Sequence, residues 1–373
     1  MPMLAFLPWC IIEEDIDLAE IKLLRYQQKQ LPFKTDQTKQ AICDKVLSTY
    51  RIDEESPIIS STILQLYSKD VLADLTEDDR ADVFSLNKII TFSALSAREY
   101  FRYSNSYWNS SNLSLFIQRF QESPEPYIAV TTRRRDGSTT NVVDVLKYKT
   151  YSPHHVHNVA VSIDIPLASS LIEARKSSSE ERWLCYDEGI DNYNRANTDS
   201  AEVAPHEEII MLASAFQRIC DSSHKEDDLV LKISPLFNPE ASSRISDLTG
   251  YSVACKTLFE CWIRDLYRLR HGYAHGRRRN NYQPIWNIDE HLLLASYIFP
   301  LLVKSKLSID GYYNLTDKDE KNINVFETLL HHDNILEPVK EENENIKYPW
   351  NEVRSSFFLK RGISKALEQL KQS

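Results

Sequence analysis

Glycine is scarce in this chain, at 7 of 373 residues, and the scarcity excludes whole classes of chemistry. A loop that closes backbone amides around a phosphate needs glycines, yet neither a G-x-G-x-x-G string nor a Walker loop occurs. Nucleotide-driven chemistry of the usual kinds is therefore not expected. Cysteine is sparse too: Cys10, Cys43, Cys185, Cys220, Cys255 and Cys261 are scattered, with no C-x-x-C pair. Most lie in apolar helical patterns, where a free thiol packs as a small hydrophobe, so they are expected to be reduced and structural. No run of about 18 apolar residues is evident, and Met1 to Cys10 is too short for a signal segment with its cleavage site. The expectation is a cytoplasmic protein with no membrane partner.

Positive charge is also in deficit. The formal net charge of −10 argues against a generic nucleic-acid coat, whose affinity comes from neutralising phosphates. A local basic cleft in an acidic protein still binds RNA, so the class is narrowed rather than removed. Otherwise the composition, 42% hydrophobic and 26% charged, is that of an ordinary globular protein. A length of 373 residues suits two domains.

The pattern changes along the chain, and the fold class it predicts is α+β: an N-terminal mixed α/β domain followed by an all-α helical bundle. In residues 1–160, β-branched and aromatic enrichment predicts strands over Leu4 to Ile12, Ile21 to Tyr26, Pro57 to Leu66 and Tyr127 to Thr132. Asp136-Gly137 signals a tight hairpin turn, with Val142 to Tyr148 as the return strand. Helices are predicted over Glu77 to Tyr103 and Asn112 to Phe120. After Pro166 apolar residues take helical spacing, and residues 161–310 are predicted as nearly all helix. The predicted segments are Leu167 to Arg175, Glu180 to Arg195, Pro205 to Cys220, Tyr251 to His275 and Asp289 to Leu307, the last kinked at Pro300. Ser222 to Arg244 looks loop-rich. Residues 311–373 form a polar tail whose Asp317-Lys-Asp-Glu-Lys-Asn run is a solvated loop and whose Val353 to Leu370 segment is a docking helix.

One helix carries a chemical proposal. On Tyr251 to His275, Cys255, Leu258, Trp262, Leu266, Leu269 and Tyr273 recur at three- and four-residue spacing as an apolar stripe. Arg264, Arg268, His271 and His275 fall on the other side. Cations near a helix C-terminus also complement its dipole, which accounts for Arg268 and His271 without any function. An arginine followed by a histidine at the end of such a helix suits metal-free RNA cleavage, with the arginine on the phosphate and the histidine moving protons. The bare spacing is common here, from Arg218 to His224, Arg264 to His271, Arg268 to His275 and Arg270 to His275.

Context separates the last of these. Leu266-Tyr-Arg-Leu-Arg-His-Gly-Tyr-Ala-His-Gly276 resembles the HEPN superfamily, in particular its Apea-like branch found in prokaryotic anti-phage and abortive-infection systems. Asp187 to Asn197 resembles that branch's first core helix and Ile209 to Gln217 its second, so the resemblance spans roughly 165–307. It implies a metal-independent endoribonuclease without cofactor, working as a homodimer with a composite active site. His275 would be the general base or acid, Arg270 would hold the phosphate, and His271 would take part as a third catalytic residue. Arg268, Arg277, Arg278 and Arg279 would bind the RNA backbone. Whether Arg268 or Arg270 is the working arginine stays open. Regulation by a phage-derived activator or by an antitoxin is also open, as is the alternative of an inactive module that binds RNA or a partner protein. Two positions depart from the family pattern: Gln217 stands where an acidic residue is frequent, and Arg277 where some members carry a modifiable tyrosine. The first domain would sense or target.

Elsewhere the signals are weak. His154, His155 and His157 have no carboxylate or thiol close by in sequence, and His331-His332-Asp333 is weaker still as a metal site. Arg133-Arg134-Arg135 at the hairpin tip is a solvated turn, with contact to RNA or to an acidic phage protein as the lesser reading.

Overall fold

The computed structural model describes residues 2–28, 37–98, 100, 107–120, 128–133, 135–142, 149–157, 159–223, 225–237, 255–274, 284–330, 335–336, 339–340 and 346–347. The chain divides into two compact units, Met1–Ser177 with Asn197–Ser200, and Ser178–Ala196 with Ala201–Ser373. The mixed α+β class expected from the sequence holds at this level.

The first unit is built on an antiparallel sheet. Its strands are β1 (Met3–Leu7), β3 (Ile16–Leu18), β4 (Ile21–Gln27), β6 (Ser60–Leu66), β7 (Phe116–Phe120), β8 (Ile128–Arg133) and β9 (Thr139–Val142), in the order β3-β4-β6-β1-β7-β8-β9. Short strands β2 (Cys10–Ile11), β5 (Tyr50–Arg51), β10 (Thr150–Tyr151) and β11 (Val159–Ala160) pair beside it. All five residues of β1 are buried, as expected of a central strand covered on both faces. On one face Leu4 and Phe6 pack with Cys43, Val46 and Leu47 of helix α1 (Gln37–Leu47). Phe6, Tyr50, Trp9 and Phe116 meet edge to face there, with centroids 4.9–5.3 Å apart along the chain of contacts. Helix α2 (Glu77–Ser96) starts at a reciprocal cap between Thr76 and Asp79 and packs against β6 and α3 (Ile165–Ser177). The composition shift after Pro166 puts α3 with the later helices, whereas α3 belongs to the first unit.

Several local expectations are corrected. Asn112 to Phe120 is not a helix: a 3-10 turn at Ser110–Leu113 leads into β7, whose Met3 and Phe6 partners on β1 override the local pattern. The helix from Glu77 ends at Ser96, not Tyr103. The hairpin turn is as expected, with Gly137 at φ 78 and the Ser138 amide donating to Asp136, but the return strand begins earlier, at Thr139.

The second unit holds α4 (Glu180–Ala196), α5 (Pro205–Ile219), α6 (Glu226–Phe237), α7 (Leu258–Ala274), α8 (Ile288–Ile309) and α9 (Asp317–Leu330), with a small β12–β13 pair (Val339–Lys340, Ile346–Lys347). Helix α6 lies where a loop was expected. Leu229, Val230, Ile233 and Phe237 form a buried face that the surrounding polar residues concealed. Helix α9 replaces the expected solvated loop, because Phe326 stacks edge-on against Trp262 and Phe259 of α7. Pro300 lies inside α8, which continues through it. Val353 to Leu370 lies outside the described residues.

Four helices alternate in direction. Phe216 meets Trp262 and His206 meets Tyr273, so α5 and α7 are antiparallel. Arg182 reaches Asp310 while the Tyr193 hydroxyl donates to the Ser296 carbonyl, so α4 and α8 are antiparallel. Gly189 of α4 faces α5, with the Ala215 carbonyl and Ile219 within van der Waals reach of its Cα side. One end of this bundle therefore gathers the C-termini of α4 and α7 with the N-termini of α5 and α8. Helix α8 is the one helix among the described residues long and apolar enough by length and composition to cross a bilayer, and most of it is buried inside the protein, as in a core helix.

Helix α9 is anchored by a buried carboxylate. Asp319 accepts from Lys304 Nζ at 2.7 Å, Tyr313 hydroxyl at 3.0 Å and the Thr316 amide at 3.0 Å. Burial alone would raise its pKa, but the bonds from Lys304 and Thr316 outweigh that and hold it below the ordinary 3.8. A lowered folded pKa gives stability that is present above the unfolded value and lost as pH falls through the folded one. Denaturation of the wild type is thus expected to ease progressively as pH drops below about 4. Asp319→Asn is expected to be destabilised by about 3 kcal/mol at pH 7, because Lys304 is left buried without its counter-charge. Urea titrations at pH 7 and pH 3 check this, and an unchanged difference between variant and wild type at the two pH values would contradict it.

Candidate functional site

The histidine and arginine run that drew attention in the sequence divides at Ala274. Arg264, Arg268, Arg270 and His271 lie on α7, while His275, Arg277, Arg278 and Arg279 lie outside the described residues. The helix is strongly one-sided: Leu258, Phe259, Trp262, Ile263 and Leu266 are buried. Cys255 precedes the helix, and Tyr273 is 40% exposed, so the expected stripe loses both of its ends.

The arginines of α7 have different surroundings. Arg264 donates to Glu226 at 2.8 Å and to Asp227 at 2.6 Å. Burial works to lower its pKa, but these two carboxylates outweigh that and raise it. Arg268 forms a two-pronged contact to the same Glu226, with both nitrogens at 3.1 Å. Both arginines thus clamp the start of α6 onto α7. Arg270 makes neither contact. At about 100° per residue it projects near Phe259, Ile263 and Leu266, so it closes the core-facing side of the helix and not the basic side. Its guanidinium stands 5.7 Å from the centre of the Tyr267 ring, and its buried Nε has no hydrogen-bond partner among the described residues. His271 is half-buried on the last turn.

The chain returns to α7 at a residue that the sequence pattern did not single out. Asp265 is fully buried, and its Oδ2 accepts from the Ile285 amide at 2.8 Å and the Trp286 amide at 3.2 Å. The fully buried His291 of α8 completes the arrangement, its Nε2 standing 3.1 Å from the same oxygen. With the carboxylate accepting, Nε2 carries the proton, and Nδ1 has no partner among the described residues. The signal for Asp265 was a carboxylate three residues after Trp262 and one before Leu266, on the apolar side of an amphipathic helix. His206 was missed as well: its ring lies 5.6 Å from that of Tyr273, which brings an exposed imidazole to the Arg270 end of the bundle. Gln217 is buried about three turns along α5 from His206, so it does not join that end.

Chemically, the α7 C-terminus offers a guanidinium that is not matched to a carboxylate among the described residues and stands by the Tyr267 ring, with the His206–Tyr273 ring pair at the same end of the bundle. Such a group binds an oxyanion bidentately. No set of three His, Cys, Asp or Glu side chains gathers as a metal site among the described residues. The histidine-rich stretch at 154–157 is pinned as a loop, with Asn109 and Asn112 donating to the carbonyls of His155 and His157.

The Arg264–Glu226 pair is expected to behave as a structural clamp. Its side chains are 11% and 21% exposed, which places it between the surface and buried regimes. In a double-mutant cycle, Arg264→Ala and Glu226→Ala are expected to couple by about 1–2 kcal/mol in urea denaturation. Arg270→Ala and Glu226→Ala are expected to add independently. Coupling of Arg270 to Glu226 as large as that of Arg264 would contradict the assignment.

No family model matches the chain, and no curated protein or solved structure matches it either. The HEPN resemblance therefore rests on the three short strings at 187–197, 209–217 and 266–276.

Proposed function

We propose that the protein is a metal-independent endoribonuclease of the HEPN type, acting through the C-terminal end of α7 in prokaryotic anti-phage defence. The observation that carries the reading is the contrast among the arginines of α7. Arg264 and Arg268 are engaged by Glu226, whereas Arg270 meets no carboxylate among the described residues. This supports Arg270 over Arg268 as the phosphate-binding residue.

The bundle directions add support. The motif begins on α7, the third of the four alternating helices, which agrees with the placement of the resembling string at the end of a third helix. In the proposed step the ribose 2′-hydroxyl attacks the adjacent phosphorus. His275 takes the hydroxyl proton or delivers one to the departing 5′-oxygen, because an imidazole titrates near neutral pH. Arg270 holds the phosphate and stabilises the negative charge that grows on it. The products are a 2′,3′-cyclic phosphate and a 5′-hydroxyl. His271 assists, and Arg277, Arg278 and Arg279 attract the RNA backbone. On an ideal helix Arg270 and His275 point about 140° apart, so a homodimer that combines the two motifs in one cleft is part of the proposal.

The test is incubation of the purified protein with total tRNA and single-stranded RNA in EDTA, with analysis of the product ends. Wild type is expected to release cyclic-phosphate ends, and His275→Ala to lose at least about 100-fold in rate, as for removal of a general acid–base group. Cleavage that persists in His275→Ala overturns the site. Cleavage abolished by EDTA overturns the mechanism.

A further inference from the structure

Two rings that the proposed cleavage does not use stand at the Arg270 end of the bundle. His206 follows Pro205 at the start of α5, and Tyr273 lies in the last turn of α7. Their ring centroids are 5.6 Å apart, with the planes tilted by 47°. Both residues are exposed, Tyr273 at 40%. Neither side chain hydrogen-bonds to another of the described residues. Other tyrosines of the bundle are committed to its interior. Tyr186 donates to Asp310 at 2.7 Å and Tyr193 to the Ser296 carbonyl at 2.6 Å, and both are fully buried.

Charge decides what this pair can take. Glu207 and Glu208 follow His206 in the first turn of α5, with the Glu207 carboxylate accepting from the Ala204 amide at 3.0 Å. Carboxylates there repel a phosphate, whereas the flat face of a nucleobase carries no charge to be repelled. The cation stands on α7: Arg270 lies beside the Tyr267 ring, and its buried Nε has no partner among the described residues. Arg270 and Tyr273 are three residues apart on one helix, so they are surface neighbours with Cβ atoms ~5–6 Å apart. One nucleotide reaches both, its phosphate on Arg270 and its base on Tyr273.

We propose that His206 and Tyr273 form a stacking subsite for one unpaired nucleobase of the RNA whose phosphate Arg270 holds. The subsite rests on the reading of the α7 end as an RNA site, and adds to it two residues that contact the base rather than the backbone. Stacking accepts every base, since each has a π-face, so the pair selects for an unpaired nucleotide and not for a sequence. A base inside a duplex has both faces covered by its neighbours and cannot enter.

The experiment measures binding of the full chain to two short 2′-O-methyl RNAs by fluorescence anisotropy at fixed salt. One strand carries all of its bases, and in the other the central nucleotides are abasic. Both present the same phosphates, and neither can be cleaved. Wild type is expected to bind the complete strand about 10-fold more tightly, within the range of one aromatic–base stack. In Tyr273→Ala and in His206→Ala that preference is expected to shrink toward equality, while Tyr273→Trp, which keeps a ring, retains it. Arg270→Ala is expected to weaken both strands alike, with the preference intact. Equal wild-type affinity for the two strands, or a preference undiminished in Tyr273→Ala, would overturn the subsite and leave the RNA site on Arg270 standing. Binding of neither strand would remove the RNA site and the subsite with it. Sedimentation of the same variants covers the other occupant of exposed rings, a second copy of the chain: a dimer lost in Tyr273→Ala with the base preference unchanged would overturn the proposal. The wild-type comparison of the two strands needs no variant, so a variant that fails to fold does not shield the proposal.

Discussion

The helical unit is organised around the fully buried carboxylate of Asp265. Taking Asp265 out of water costs several kcal/mol, and its contacts to the Ile285 and Trp286 amides and to His291 offset that cost. Removing the carboxylate would leave the buried Trp286 amide and the buried His291 imidazole without an acceptor, each worth about 1–3 kcal/mol, and the half-buried Ile285 amide as well. The effect extends beyond one contact. The amides lie just before the Asn287 cap of α8, whose partner Glu290 also accepts the Ile335 amide at 3.0 Å. The start of α8, its register on α7 and the position of Ile335 thus follow from Asp265.

This constraint shapes the candidate site. Helix α7 is held near its middle from two sides, by Glu226 through Arg264 and Arg268 and by α8 through Asp265. Charge on the basic side is consumed in holding α6. Arg270 continues the core-facing side, where a guanidinium is costly unless it reaches an anion. The proposed function makes that anion an RNA phosphate.

Much of this was legible in the residues, for identifiable reasons. Helices α4, α5 and α8 were visible because their apolar spacing is long, and α5 also because Pro205 marks a first turn. Helices α6 and α9 were not, because Glu226-Asp-Asp and Asp317-Lys-Asp-Glu look like solvated loops. Their buried sides, Ile233 with Phe237 and Phe326 with Leu329, acquire meaning only against α7. Strand β7 was mistaken for a helix since Phe116-Ile-Gln-Arg-Phe suits either period, and β1 decides between them. In the site, the importance of α7 was legible. The division of labour among its arginines was not, because Glu226 lies 38 residues from Arg264 in sequence.

The most direct measurement of that division is binding of RNA carrying 2′-O-methyl groups, which removes the attacking hydroxyl and isolates recognition from cleavage. Fluorescence anisotropy at fixed salt would compare wild type, Arg268→Ala and Arg270→Ala. The account predicts that Arg270→Ala weakens binding by about 10-fold or more, as for loss of a bidentate phosphate contact, while Arg268→Ala stays near wild type. Equal affinity of Arg270→Ala and wild type, with the loss appearing in Arg268→Ala, would contradict it.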